Sequence, residues 1–143
     1  MWGDVVAIMN TKEAFAAVAL AAVACDGSLG RDEAHALRRQ LEYRSLYQDC
    51  SEAVMGELFD RLLGLMREQG IDGLIDQALP QLSIHQKESA LAVAAHLVHA
   101  DRKVMDEEAA FLHRLAGMMT LPEGQAAMII RAIEALNRDS LND

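Results

Sequence analysis

The amino-acid sequence predicts an all-α fold: a compact bundle of about seven helices forming one domain over residues 1–143. Three observations carry this expectation. Hydrophobic residues make up 52% of the chain, mostly Ala, Leu, Met, Val and Ile, with one Trp, two Tyr, three Phe and two Pro. Ala, Leu and Met favour helix over strand. Apolar side chains recur at i, i+3, i+4 and i+7 through most of the chain, and no segment alternates convincingly as a strand. One helix–turn–helix pattern also occurs twice. A chain of 143 residues can bury an adequate core without disulfides or a structural metal.

Each element has its own signals. A short apolar opening, Val5 to Met9, ends near Asn10-Thr11. Thr11 is the expected cap of a helix reaching about Cys25. Seven of the eleven residues from Ala14 to Ala24 are alanine, and small side chains let helices approach closely, so this helix belongs in the middle of the fold. Gly27 reads as a stop. The next helix starts near Arg31 and turns Ala34, Leu37, Leu41 and Leu46 inward. Ser51 caps a third, with the stripe Met55, Leu58, Phe59, Leu62, Leu63 and Met66, ended by Gly70. Ile71 to Leu79 forms a short fourth helix stopped by Pro80. Ser83 and Gln86 make a capping box for a helix to about Ala100. Another covers about Asp106 to Met119. Pro122 sits in the first turn of the last helix, which faces Met128, Ile129, Ala132, Ile133 and Leu136 inward. The tail from Arg138 is polar.

Charge narrows the function classes. Thirteen basic and 22 acidic residues leave a formal charge of −9. That balance disfavours nucleic acid and anionic lipid, and favours a cation or a basic protein partner. The scarcity of aromatics removes a stacking platform for bases. The run from Ala14 to Ala24 is too short to span a bilayer, so no direct membrane insertion is expected. Lys12, this run and Ala22-Val23-Ala24-Cys25 loosely resemble a lipoprotein signal, but Asp4 and Glu13 stand where such signals are basic. Cys25 and Cys50 form no metal or redox spacing, which fits two buried thiols in a reducing cytoplasm.

The repeat is seen by laying residues 12–41 over 87–116 without a gap, a shift of 75 that gives 11 identities in 30 positions. Lys12-Glu13 falls on Lys87-Glu88, Asp26 on Asp101, Glu33-Ala34 on Glu108-Ala109, and Arg39 on Arg114. Each unit reads as a helix, an Asp-led turn, and a helix with Glu in its first turn. Two such hairpins can pack about a pseudo-twofold axis with their Ala-rich helices in contact. Cleavage before Cys25 would remove the first helix of one unit.

The two turns are the candidate site. Gly27 shapes the first, and Leu29 and Val104 occupy matching slots as plugs onto the core. Glu33 and Glu108 stand at helix N-termini, where the macrodipole favours a carboxylate. Asp26 and Asp101 follow helix C-termini, where it does not, so a turn N–H, a basic side chain or a metal must compensate. Two readings stand open. In one, each Asp accepts turn N–H groups and each Glu caps its helix. In the other, Asp26 and Glu33, joined by Asp101 and Glu108, hold a hard divalent cation, Ca²⁺ or Mg²⁺. The first turn is not an EF-hand: Arg31 replaces the loop glycine and Leu37 the bidentate Glu. In the second turn Arg102 stands where Gly27 does, and Arg102 and Lys103 bring positive charge beside Asp101.

The repeated D-G-x-x-x-x-x-E turn after an Ala-rich helix resembles the tellurite-resistance TerB family over about residues 12 to 120. A related domain is similar to the N-terminal part of certain membrane-anchored DnaJ-type co-chaperones. The resemblance implies an all-helical bacterial stress-response module, linked to tellurite or other chemical stress, with an acidic metal-binding surface. It carries over to Asp26, Gly27, Glu33, Asp101 and Glu108; Arg102 departs from the expected glycine and puts an equivalent second site in doubt.

His96 and His99 lie three apart on the helix leading to Asp101, a spacing that suits a transition metal or, more simply, a surface pair. No nucleophile, P-loop or dinucleotide fingerprint is present. Three functions follow as expectations: a non-enzymatic module binding a divalent cation or basic partner, a metal-free protein-interaction domain, and a metal-dependent enzyme. A homodimer is the candidate self-assembly.

Overall fold

The computed structural model describes residues 9–25, 31–99, 104 and 106–138, the side chains of residues 31–33 and 35 excepted. Among these residues there are six α-helices and no strand. They are α1 (Thr11–Ala24), α2 (Arg31–Glu42), α3 (Glu52–Ala78), α4 (Ile84–His99), α5 (Asp106–Met119) and α6 (Gln125–Asn137). Short 3₁₀ turns occupy Ser45–Tyr47 and Leu79–Gln81.

The alanine-rich α1 is central, as its composition predicts. Every residue from Glu13 to Ala22 is buried, because it packs against α3 and α4 and also touches α2 and α5. A helix enclosed on all sides has no polar face to show, and alanine permits the close approach. One hydrophobic core runs from Met9 through Leu20, Leu37, Leu62, Leu74 and Leu91 to Met119.

The start of α1 differs from expectation. Asn10, not Thr11, is the N-cap: its side chain accepts from the Glu13 N–H at 2.8 Å while its own N–H donates to Glu13 Oε1 at 3.0 Å. Asn10 and Glu13 hold the cap and N3 positions of a capping box, which leaves Thr11 inside the helix. Ser51 and the Ser83–Gln86 box cap α3 and α4 as expected.

Gly70 breaks α3 into two segments. Its φ of 77° lies in the left-handed region that glycine enters at little cost. After the break the chain passes so close to itself that a Cβ on Gly73 would lie 2.7 Å from Gln69 Cβ. Counting both segments accounts for the expected seven helices. Pro80 does not simply stop the chain; it sits inside the 3₁₀ turn that continues from Ala78.

The last helix also departs from expectation. Pro122 precedes it, and Gly124, at φ 80°, is the N-cap. This left-handed residue prevents the helix from starting at Pro122. The inward face is Ala126, Ile129, Ile130 and Ile133, whereas Met128 and Leu136 are exposed at 63% and 69% and Ala132 is exposed beside them. Contacts with α4 set this rotation. Gln125 Nε2 donates to Glu88 Oε2 at 2.7 Å and Asn137 Nδ2 to His96 Nδ1 at 3.2 Å. Both helices therefore run the same way.

A buried phenol ties the α2–α3 connection to α1. The Tyr47 hydroxyl donates to the Lys12 carbonyl at 2.6 Å. Tyr47→Phe leaves that carbonyl short of a donor and is expected to cost about 1–2 kcal/mol in urea unfolding at neutral pH. Burial pushes the Tyr47 phenol well above its usual range, so the folded state holds the proton more tightly than the unfolded chain. That contribution is complete below the unfolded value, about pH 10, and is lost as pH rises beyond it. Wild-type stability is accordingly expected to fall more steeply above about pH 10 than that of Tyr47→Phe.

Candidate functional site

The helices bracketing the two acidic turns end and begin in register. α1 ends at Ala24 and α4 at His99, while α2 begins at Arg31 and α5 at Asp106. Each pair is 75 residues apart (99 − 24 and 106 − 31), the offset at which the sequence matches itself. Asp26, Gly27, Leu29, Asp101 and Arg102 lie outside the described residues, and so does the Glu33 side chain.

Around the turns, the described residues lean acidic. The last turn of α1 contains no basic residue. Cys25 and Cys50, expected to be buried, are each only half-buried, and the Cys25 thiol donates to the Ala22 carbonyl at 3.2 Å, occupying one helix-end acceptor. Asp106, Glu107 and Glu108 fill the first turn of α5, where the helix dipole favours them. Glu108 is half-buried, and Asp106 and Glu107 are exposed. Val104, expected to plug its turn onto the core, is instead exposed at 36%.

The histidine pair is committed to holding α6. His99 Nδ1 lies 2.8 Å from the Ala95 carbonyl. A carbonyl only accepts, so this nitrogen carries the proton. His99 Nε2 stands 4.0 Å from Glu134 Oε1. His96 Nδ1 accepts from Asn137 Nδ2, whose amide also donates to the Ile133 carbonyl at 2.9 Å, so the proton of neutral His96 is on Nε2. In a neutral His99 the lone pair is then on Nε2, on the side of Glu134, and a two-histidine site would require His96 to give up Asn137. Among the described residues no group of three His, Cys, Asp or Glu is placed to hold a metal ion.

The repeated Lys-Glu pair, prominent in the sequence alignment of the two halves, has a structural role at each place. Glu13 is buried, caps α1 and meets Arg61 Nη1 at 2.9 Å. Glu88 receives Gln125 and lies 3.2 Å from His85 Nδ1. Lys87 Nζ donates to the Met119 carbonyl at 3.4 Å, joining α4 to the far end of α5. Sequence reasoning missed Arg61 and Asn137, which lie 48 and 41 residues from their partners. The N-x-x-E signature beginning at Asn10 was the available signal for the Glu13 cap.

The protein-family models contain a match to this chain: the family described as tellurite resistance protein TerB matches residues 12–132. No curated protein and no solved structure matches it. No helix among the described residues is long and apolar enough to cross a membrane.

Proposed function

The chain belongs to the TerB family, and on that premise we propose that it is a non-enzymatic stress-response module of the cytoplasm whose acidic turns bind a hard divalent cation. The observation that carries this reading is the recurrence of Asp and Glu, seven residues apart, as Asp26–Glu33 and Asp101–Glu108, between helices that end and begin 75 residues apart. A carboxylate directly after a helix C-terminus is disfavoured by the dipole unless something positive meets it. The last turn of α1 supplies no basic side chain. Oxygen donors of this kind suit Ca²⁺ or Mg²⁺. Asp26 and Glu33 form the stronger half, because in the second turn Arg102 and Lys103 directly follow Asp101 in sequence and bring positive charge beside it. Residues 12–41 and 87–116 are read as two copies of one helix–turn–helix unit, and the chain's net charge of −9 matches a basic protein partner.

Thermal unfolding tests the cation site. After chelation, Ca²⁺, Mg²⁺, Mn²⁺ and Zn²⁺ are added back singly to wild type and to Asp26→Ala. A cation at 100 times its dissociation constant adds about 2.7 kcal/mol, a rise of several degrees for a domain of this size. The expected result is a rise with Ca²⁺ or Mg²⁺ that Asp26→Ala loses while remaining folded. No rise with any ion, or an equal rise in the variant, overturns the cation site. The favoured reading then becomes a metal-free interaction domain, which has one observation of its own: the apolar side chains of Met128 and Leu136 stand exposed on the outer side of α6.

A further inference from the structure

An open hollow of about 350 Å³ lies between the start of α4, the first half of α1 and the connection from α2 to α3; Phe15, Arg44, Ser45, His85 and Ser89 are among its lining residues. Its volume falls in the range of small-molecule sites. From its lining we propose that the hollow binds a small organic oxyanion, a phosphate or carboxylate head on a compact body.

Arg44 carries the argument. Its guanidinium carbon sits 4.9 Å from the centroid of the buried Phe15 ring, a stacked position that holds the fork in place without engaging its N–H donors. Other arginines near the core find carboxylates: Arg61 meets Glu13 and Arg38 meets Glu42. Arg44 is half-buried like Arg38, yet among the described residues no carboxylate lies within ion-pair distance of it. In a chain of charge −9, a partly desolvated cation held on an aromatic ring beside an open hollow is set to receive an anion from outside.

The rest of the lining suits the same ligand. Ser45 and Ser89 add hydroxyl groups to the lining, and a hydroxyl can donate to an anion. The first turn of α4 contributes His85 and Gln86 to the lining. The Gln86 side chain is occupied in capping Ser83, and His85 uses Nδ1 on Glu88, which leaves its Nε2 toward solvent. Leu46 supplies an apolar wall, which favours an organic anion over a bare inorganic one. This hollow is separate from the acidic turns and takes a ligand of opposite charge, so its fate does not depend on the cation site.

The test is a titration followed by amide NMR, with phenyl phosphate, benzoate and inorganic phosphate as probes on the full chain. Saturable shifts are expected at Ser45, Leu46, His85 and Ser89 with phenyl phosphate or benzoate, the tighter of the two identifying the head group. Inorganic phosphate alone is expected to bind more weakly. Arg44→Gln is expected to weaken binding about tenfold or more, with Arg44→Lys in between because it keeps the charge but not the fork. Ser89→Leu, which fills the hollow and leaves Arg44 in place, is expected to block binding even if Arg44→Gln unfolds. No saturable shift with either aromatic probe overturns the proposal. So does unchanged affinity in a folded Arg44→Gln, or in Ser89→Leu.

Discussion

Ala17→Leu is expected to destabilise the protein by about 3 kcal/mol, whereas Ala92→Leu, at the matching place 75 residues on, is expected to change stability by less than about 1 kcal/mol. Both are alanine-to-leucine changes inside a helix, so the difference in intrinsic helix propensity is small and the same in each. The surroundings differ. Ala17 is wholly buried at 0% exposure, on a helix that packs against α3 and α4 and also touches α2 and α5. Ala92 is half-buried on α4, where a longer side chain has solvent to turn into. Three added carbons at residue 17 must push a neighbouring helix or accept a poor rotamer. Urea unfolding of the two variants reads the contrast directly. Equal losses would mean that α1 owes its position to something other than close packing.

That contrast also explains how much of the fold was legible. A run with seven alanines in eleven residues has few reasons to exist on a surface, and its central place followed from composition alone. Gly70 and the Ser51 and Ser83 caps were legible because each acts on backbone within a few residues. The rotation of α6 was not. That helix carries two apolar stripes, one through Ile129, Ile130 and Ile133, the other through Met128, Ala132 and Leu136. Periodicity alone does not choose between them, and the expected inward face mixed both. The choice is made by Gln125 and Asn137 reaching Glu88 and His96 across α4, contacts with no local sequence signature. The candidate site divides in the same way. The acidic turns were legible as a repeated spacing, while Arg44 on Phe15, which joins residues 29 positions apart (44 − 15), emerges only when the helices are packed.

Glu13→Ala is the second large effect expected, a loss of about 2–3 kcal/mol. Glu13 is the one buried charged residue among those described, at 6% exposure. One carboxylate oxygen receives the Asn10 N–H at 3.0 Å and the other meets Arg61 at 2.9 Å. Alanine removes both acceptors, leaving the Asn10 N–H without its cap partner. Breaking a fully buried ion pair costs about 3–5 kcal/mol, but the Arg61 side chain is 41% exposed and regains water, so the lower figure applies. Glu13→Gln keeps a neutral acceptor for Asn10 and loses the charge facing Arg61. Its expected cost is about half as large, and the difference between the two variants separates the cap from the ion pair. Arg114→Ala serves as the comparison. Arg114 pairs with Asp72 at the same 2.9 Å, but their side chains are 51% and 64% exposed, and such a pair contributes about 0–1 kcal/mol. If Glu13→Ala cost no more than Arg114→Ala in urea unfolding, the buried carboxylate would contribute little beyond a surface ion pair, and the start of α1 would depend on the burial of Met9 and Phe15 instead.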